Sequence, residues 1–374
     1  MKVASSLRSG PFGLQTGGTN SGRPEHPFHR SIPQPAGMTD SAPPDPSPRA
    51  PGPTRAQLLR RAAGLSLAAL LPPAVQGQTP APGGSATPAG PAVAPPSASP
   101  MHTRPIPSSG EALPVVGCGT WIGFDHAPGS AEHRRLPGVL RALFDAGGRV
   151  IDGSPMYGRS EQTTGELLAA APAPQPPAFL ATKVWTRGRQ AGIAQMERSF
   201  ELLRTRRIDL MQVHNLVDWR TQLATVRAWQ AQGRIRHAGI THYTTAAFDE
   251  VEAVLRAEPL DFLQINYAID DREVERRLLP LAAERGVAVI VNQPFGGGGL
   301  LRRLHGRPLP GWAAEIGATS WAQVLLKFTL AHPAVTCVIP GTSRPEHMAD
   351  NARAGTGPLP DAAFWRGRIA DVLA

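Results

Sequence analysis

The chain is poor in several residue types, and each shortage excludes a class of protein. Its 374 residues include only two cysteines, Cys118 and Cys337, which excludes a disulfide framework. Each cysteine lies in an apolar run, so they are either buried free thiols or a single bridge. The most apolar segment runs for about fourteen residues, too few to cross a bilayer about 30 Å thick as a helix.

The positive charge of the chain is concentrated near its N-terminus. Residues 1–101 hold eight basic and three acidic residues, and therefore five of the nine net positive charges. The remaining charge is scattered, with no basic aromatic stripe and no nucleic-acid motif. We therefore expect no nucleic-acid partner.

The N-terminal composition predicts an extension and an export segment. Residues 1–57 are rich in Pro, Gly, Ser, Thr and Ala, a composition that buries too little apolar surface to fold, so we expect disorder. Met38 is a candidate true start. Residues 58–77, LLRRAAGLSLAALLPPAVQG, join paired arginines to an apolar run with small residues at its end. This pattern is typical of a twin-arginine export signal, with a membrane anchor or an accidental apolar patch as the alternative.

The rest of the chain divides into a linker and a folded domain. Residues 78–101 predict a Pro/Ala/Ser-rich linker, and residues 102–374 suit one barrel-sized domain. We expect a protein exported to the periplasm, free of the membrane once the signal is removed, and monomeric.

Eight short apolar runs alternate with segments that have the apolar spacing of helices. Runs without polar alternation fit strands covered on both faces, as in a parallel sheet. Eight such units predict an α/β fold, a (β/α)8 TIM barrel; an open doubly wound sheet is the alternative, without a G-x-G-x-x-G to support it. PIPSSGEALP, before the first barrel strand, predicts a short hairpin over the barrel floor. The runs are 113–121, 149–152, 178–183, 208–214, 237–241, 261–266, 287–292 and 335–340.

Polar residues stand at the ends of several predicted strands. In a barrel the carboxyl ends of the strands ring one face, where such folds carry their chemistry. Tyr157 follows one of these ends on the adjoining loop. The strand-end residues are Asp152, Lys183, His214, Gln264 and Asn266.

Four of these residues together form an acid–base device. A free phenol has a pKa near 10, and we expect the ammonium of Lys183 to lower the pKa of Tyr157. Asp152 supplies the counter-ion that a buried ammonium needs, and His214 can bond a substrate oxygen or pass a proton. Each residue alone has a structural explanation, but the set predicts proton transfer at a carbonyl or alcohol oxygen.

Lysine is scarce in this chain, which makes Lys183 informative. Three lysines stand against 35 arginines. A lysine is a compact point charge whose pKa can move, whereas a guanidinium is planar and permanently charged. The retained lysine therefore favours a site that needs an ammonium.

Six stretches of the predicted domain match the pattern of a known family: VIDGSPMYGRSEQTTGELL (150–168), FLATKVW (179–185), DLMQVHNL (209–216), GRIRHAGIT (233–241), DFLQINYAIDDREVE (261–275) and VTCVIPGTSRPEHMADN (335–351). On these stretches, from about residue 102 to the end, the sequence resembles the aldo/keto reductases. The resemblance implies a (β/α)8 barrel and reduction of aldehydes and ketones with NADPH, NADH being the alternative. It also implies Asp152, Tyr157, Lys183 and His214 as the catalytic residues, with Tyr157 as general acid.

The resemblance also implies the binding residues. Gln264 matches the residue that binds the nicotinamide carboxamide, and Trp121 and Trp185 are assigned to the substrate. The other cofactor-binding residues implied are Thr241, Asn292, Gly341, Thr342, Ser343, Arg344, His347 and Asn351.

The sequence departs from the family pattern at three sites, which comprise four residues. Thr241-His242 stands where the family often has Ser-Asn. Asn292 stands where an aromatic residue commonly stacks on the nicotinamide, so Phe295 is an alternative stacking residue. His347 stands where a basic residue grips the ribose 2′-phosphate, with Arg344 as an alternative.

Two other functions fit parts of the sequence. The altered nicotinamide contacts motivate a redox-sensing barrel that retains a cofactor without useful turnover. Lys183 could instead form a Schiff base in a lyase or aldolase, although an ion-paired lysine counts against this.

The histidines show no metal-ligand spacing, so we expect no metal. The expected partner is a small-molecule carbonyl compound.

Overall fold

The computed structural model describes residues 99–172 and 177–374. The predicted extension, the export segment and most of the linker lie outside these residues. Within the described ranges, no helix is both long and apolar enough to cross a membrane.

Ten strands in the described ranges form two sheets. β1 and β2 pair antiparallel as a hairpin, and the other eight pair in parallel in chain order. Single bridges from Val116 to Val338 and from Gly119 to Gly341 join the first and last of these eight. The strands are β1 (Thr103–Pro105), β2 (Ala112–Pro114), β3 (Cys118–Gly119), β4 (Val150–Asp152), β5 (Phe179–Val184), β6 (Ile208–His214), β7 (Ile235–Thr241), β8 (Phe262–Asn266), β9 (Ala288–Asn292) and β10 (Val335–Val338).

Helices connect the parallel strands, because the chain must cross back over the sheet between one parallel strand and the next. Local signals mark several of them: Pro137 and Pro345 stand in the first turns of α1 and α9, and the Ser320 side chain caps α8 by accepting from the N–H of Gln323. The helices are α1 (Leu136–Asp145), α2 (Ser160–Ala170), α3 (Arg189–Leu203), α4 (Trp219–Ala231), α5 (Phe248–Ala257), α6 (Leu278–Glu284), α7 (Gly299–Leu304), α8 (Trp321–Leu330), α9 (Pro345–Arg353), α10 (Ala362–Arg366) and α11 (Ile369–Leu373).

The predicted (β/α)8 barrel is confirmed, and so is the hairpin before it. Ile106 and Leu113 of the hairpin pack among the inward-facing residues of the barrel, and therefore close its amino-terminal floor. The prediction of one strand over 113–121 is wrong: residues up to Pro114 belong to the hairpin, and β3 begins at Cys118. Immediately before β3 the backbone passes very close to β4. A Cβ on Gly117 would lie only 2.7 Å from Cβ of Val150, so glycine is the residue that fits there.

Two separate apolar clusters occupy the two sides of the barrel wall. Alternate strand residues pack inside the barrel, while their neighbours pack against the helices. The interior cluster contains Ile106, Leu113, Val150, Phe179, Ala181, Leu210, Phe262, Ala288, Ile290, Cys337 and Ile339.

The two cysteines are free thiols, both fully buried. Cys337 belongs to the interior cluster, whereas Cys118 belongs to the cluster between strands and helices. Because the side chains lie on opposite sides of the wall, the alternative of a bridge is not realised.

Lys327 is a buried lysine outside the strand-end site. It lies on α8 with 1% of its surface exposed, and its ammonium donates to the carbonyls of Thr356 and Pro358 at 2.7 and 2.8 Å. Burial lowers its pKa from 10.5 to about 8. The two carbonyl partners therefore offset part of the cost of burying the ammonium.

This lysine gives an expected pH dependence of stability. The folded protein releases the Lys327 proton at about pH 8, and the unfolded chain near 10.5. Between these values the unfolded state binds more protons, so the free energy of unfolding should rise with pH. Lys327→Met should lack this rise when urea unfolding is followed across the same window. Parallel pH dependences of the two proteins would contradict it.

Candidate active site

The four predicted catalytic side chains converge at the carboxyl ends of β4, β5 and β6. Nζ of Lys183 lies 2.6 Å from Oδ2 of Asp152 and 5.0 Å from the centre of the Tyr157 ring. The rings of Tyr157 and His214 meet edge to face, with centroids 5.8 Å apart. Residues distant in sequence therefore form one cluster.

Lys183 is held as an ammonium. Its side chain is fully buried and donates to the carbonyl of Gly153 at 2.7 Å, besides the bond to Asp152. Burial alone lowers its pKa, but Asp152 and Tyr157 raise it more, and the net pKa lies above its ordinary value. The site therefore keeps a fixed positive charge beside the phenol.

The expected lowering of the Tyr157 pKa is wrong in its net direction. Burial raises the pKa, and the Asp152 carboxylate raises it further; Lys183 lowers it, as expected, but by less. The net pKa therefore lies above its ordinary value. In this structure Tyr157 is a protonated phenol whose ring centre lies 5.0 Å from Nζ of Lys183.

His214 is held neutral. Burial, then the charge of Lys183, then His242, keep its pKa well below the ordinary value. Its Nδ1 lies 3.0 Å from Oγ of Ser154, and its ring centre lies 6.4 Å from that of Trp185. A neutral, oriented imidazole can bond an oxygen without competing with the ammonium for negative charge.

Asp152 anchors a network that also includes two glutamines. Nε2 of Gln264 donates to its Oδ1 at 2.8 Å, and Nε2 of Gln212 does so at 3.3 Å. Oε1 of Gln264 accepts from the hydroxyl of Thr241 at 3.2 Å. The amide predicted to bind the nicotinamide carboxamide is thus bonded to the catalytic cluster in this structure.

Sequence reasoning missed Ser154 and Gln212 as parts of this cluster. Ser154 follows Asp152 and Gly153, and reads as an ordinary turn residue. Gln212 carried a usable signal: it stands two residues before His214, and therefore on the same inward face of β6. A polar residue at an inward position needs a partner, and here the partner is Asp152.

The predicted adenosine-half segment runs from the end of β10 into α9. Gly341, Arg344 and His347 are exposed, while Asn351 is buried. Arg344 precedes a nine-residue helix whose first N–H groups receive no side-chain cap, so they remain open to a phosphate. Exposed basic side chains and free N–H groups fit the anionic part of a dinucleotide.

The predicted nicotinamide end shows two further features. Nδ2 of Asn292 donates to the carbonyl of His242 at 3.0 Å, and its buried Oδ1 has no hydrogen-bond partner. An unpaired buried acceptor fits a polar group of a bound cofactor. Phe295, the alternative stacking residue, is 9% exposed and packs in the core between strands and helices.

The two tryptophans assigned to the substrate lie on different loops. Trp121 is 54% exposed. The N–H of Trp185 donates to Oε1 of Gln195 at 2.5 Å, which fixes the backbone at this tryptophan.

Within the described residues, no group of three or more His, Cys, Asp or Glu side chains could hold a metal ion.

Fold and site together define a parallel eight-stranded barrel with an Asp, Tyr, Lys and His cluster at the carboxyl ends of its strands. The sequence model of the aldo/keto reductase family matches residues 115–366. The chain belongs to the aldo/keto reductase family.

Known proteins of this family are similar to the chain over much of the barrel. An aldo-keto reductase of Bacillus subtilis is 27% identical over 206 residues, 51% of this chain but only 61% of that protein. An Escherichia coli NADH-specific methylglyoxal reductase is 25% identical over 57% of this chain and 73% of its own. The crystal structure of a Klebsiella pneumoniae aldo/keto reductase with NADP and acetate has a TM-score of 0.59 at 26% identity, covering 70% of this chain and 91% of that one.

Proposed function

We propose that the protein reduces aldehyde or ketone carbonyls to alcohols with NADPH or NADH, and that Tyr157 is the general acid. One observation carries the proposal: the Lys183 ammonium lies between a carboxylate and the phenol. Its Nζ is bonded to Asp152 at 2.6 Å and lies 5.0 Å from the centre of the Tyr157 ring. A protonated phenol beside a fixed cation can give its proton to an oxygen, and the cation stabilises the phenolate that remains.

Each residue of the cluster has a separate role in the proposed reduction. The bound nicotinamide supplies the hydride. Tyr157 holds the proton, Lys183 and Asp152 compensate the charge left on the phenol, and neutral His214 orients the substrate oxygen. Arg344 and His347 are the groups proposed to bind the phosphates of the cofactor.

The similar proteins differ in the nicotinamide cofactor that their names give. The Klebsiella pneumoniae structure contains NADP, whereas the Escherichia coli relative is named for NADH. In this chain the exposed Arg344 favours NADPH, because a guanidinium binds a phosphate at two points.

The Schiff-base alternative is less well supported by the geometry. A lysine attacks a carbonyl as a neutral amine, but Asp152 and Tyr157 hold the pKa of Lys183 above its ordinary value despite its burial. The cofactor-retaining barrel keeps one supporting observation, the bond that commits Gln264 to Asp152.

Turnover with a panel of aldehydes and ketones tests the proposal. Loss of absorbance at the reduced nicotinamide band is expected with at least one carbonyl compound, and faster with NADPH than with NADH. Binding of the cofactor without turnover of any carbonyl would favour the retaining barrel. A borohydride-trapped adduct on Lys183 would favour the lyase.

The proposal extends to export by the twin-arginine route and to a monomer in the periplasm. It is supported by LLRRAAGLSLAALLPPAVQG, residues 58–77. Native mass spectrometry of protein from an envelope fraction measures the cleavage point, the bound dinucleotide and the subunit number together. Export would be contradicted if the protein were found in the cytoplasmic fraction with residues 58–77 still attached.

A further inference from the structure

The loop that carries Tyr157 is bonded to a turn from another part of the chain. Oδ1 of Asp125, in the turn after β3, accepts from the N–H of Arg159 at 2.9 Å. Arg159 follows Tyr157 by two residues, and the N–H of Ser160 bonds back to the Tyr157 carbonyl at 3.1 Å. Asp125 therefore holds the backbone immediately after the tyrosine.

The carboxylate of Asp125 also packs directly on Gly158. A Cβ built on Gly158 would lie 2.3 Å from Cγ and from both carboxylate oxygens of Asp125. Gly158 also has a φ of +57°, in the left-handed region. A side chain here would therefore displace Asp125 as well as strain the backbone.

Asp125 is itself held by the turn that it ends. The neighbouring Phe124 is fully buried, and its N–H bonds to the carbonyl of Thr120 at 3.1 Å. The hydroxyl of Thr120 donates to the carbonyl of Asp152 at 2.9 Å. The turn over residues 120–125 thus connects the strand end of Asp152 to the Tyr157 loop.

The same turn touches the predicted cofactor segment. A Cβ on Gly123 would lie 3.0 Å from the carbonyl oxygen of Thr342, so the backbones of the two segments are in close contact. Trp121, assigned to the substrate, lies in this turn as well. Asp125 is therefore the point at which this turn is joined to the loop of the general acid.

We propose that Asp125 is a positioning residue for the reaction: its carboxylate, seated on Gly158 and bonded to the N–H of Arg159, fixes the loop that presents Tyr157. This inference rests on the proposed function. Asp125 touches no reacting atom and acts through Tyr157. Misplacing a reacting group by about 1 Å can cost a hundredfold in rate, so a loosened loop should lower kcat and leave KM nearly unchanged.

Three variants test the contact by activity. Asp125→Ala should lower kcat about tenfold, a fraction of the hundredfold cost of a full misplacement. Asp125→Asn keeps an oxygen acceptor, and should stay within about threefold of wild type. Gly158→Ala should lose activity through the clash with Asp125 and the strained φ. The double variant Asp125→Ala/Gly158→Ala should be more active than Gly158→Ala, because the clash is removed, but less active than Asp125→Ala, because the strain at position 158 remains.

Hydrogen exchange in the cofactor-free protein gives a readout independent of activity. The amide of Arg159 should exchange faster in Asp125→Ala than in wild type and remain protected in Asp125→Asn. Unchanged exchange in Asp125→Ala, equal losses of kcat in Asp125→Ala and Asp125→Asn, or a double variant no better than Gly158→Ala would each overturn the proposal. A wild type without carbonyl turnover would remove the proposed function, while the exchange comparison would still decide whether Asp125 holds the loop.

Discussion

Tyr157→Phe is expected to lower kcat for carbonyl reduction by about 10²- to 10⁴-fold, the contribution typical of a positioned general acid. The phenylalanine keeps the ring that meets His214 edge to face at 5.8 Å, and it removes only the hydroxyl. The loss should therefore fall on kcat, with the affinity for the reduced cofactor nearly unchanged. Steady-state turnover and cofactor fluorescence titration measure the two quantities.

Tyr267→Phe is a matched control for this variant. Its hydroxyl donates to Oε1 of Glu275 at 2.6 Å, outside the catalytic cluster. The variant loses the same atom and a buried hydrogen bond, so it should be somewhat less stable while keeping its kcat. Equal kcat losses in the two variants would show that the effect of Tyr157→Phe is one of stability.

The pH dependence of reduction follows from the same tyrosine. Burial holds its pKa above the ordinary value, and reduction requires the protonated phenol, so activity falls only as the pH rises through that raised value. Burial also holds the pKa of His214 well below its ordinary value. The kcat profile should therefore be flat from about pH 6 to 9, without an inflection near the ordinary histidine pKa of about 6.5.

Lys183→Met is expected to destabilise the fold by about 3–5 kcal/mol, because it leaves the Asp152 carboxylate buried without its cation. The two side chains are 0% and 3% exposed, so water cannot replace the lost partner. Urea unfolding of wild type and variant measures the difference. The variant should also lose activity, since the charge beside Tyr157 is gone.

The double variant Asp152→Asn/Lys183→Met separates stability from catalysis. Removing both charges leaves a neutral side chain that can still accept from Gln264, so most of the stability should return. Activity should not return, because the ammonium remains absent. A double variant as unstable as Lys183→Met would mean that packing of the lysine stem, and not the unpaired carboxylate, causes the loss.

The barrel was largely predictable because its strands are buried on both faces. The apolar run at 208–214 coincides with β6, and the run at 261–266 begins one residue before β8. The run at 113–121 misled the prediction, since a continuous apolar stretch does not reveal that the chain passes from a hairpin into the barrel wall.

The site was predictable where strand ends determine position. Asp152, Lys183 and His214 come together because adjacent parallel strands end at one face. Ser154 and Asp125 lie instead on loops, and no periodicity in the sequence predicts which loop residues come into contact. The direction of the Tyr157 pKa shift likewise depends on the extent of burial, which together with the Asp152 carboxylate outweighs the lysine.

The placement of the two thiols makes the barrel wall observable in solution. Burial, and secondarily the charge of Asp152, raise the pKa of Cys118 to about 12 and also raise the pKa of Cys337, so neither sulfur is a nucleophile while the wall is closed. A maleimide that modifies Cys118 before Cys337 would report detachment of the surrounding helices. Simultaneous modification of both would report cooperative opening of the whole cylinder, so the native sequence already contains one chemical reporter for each surface of the wall.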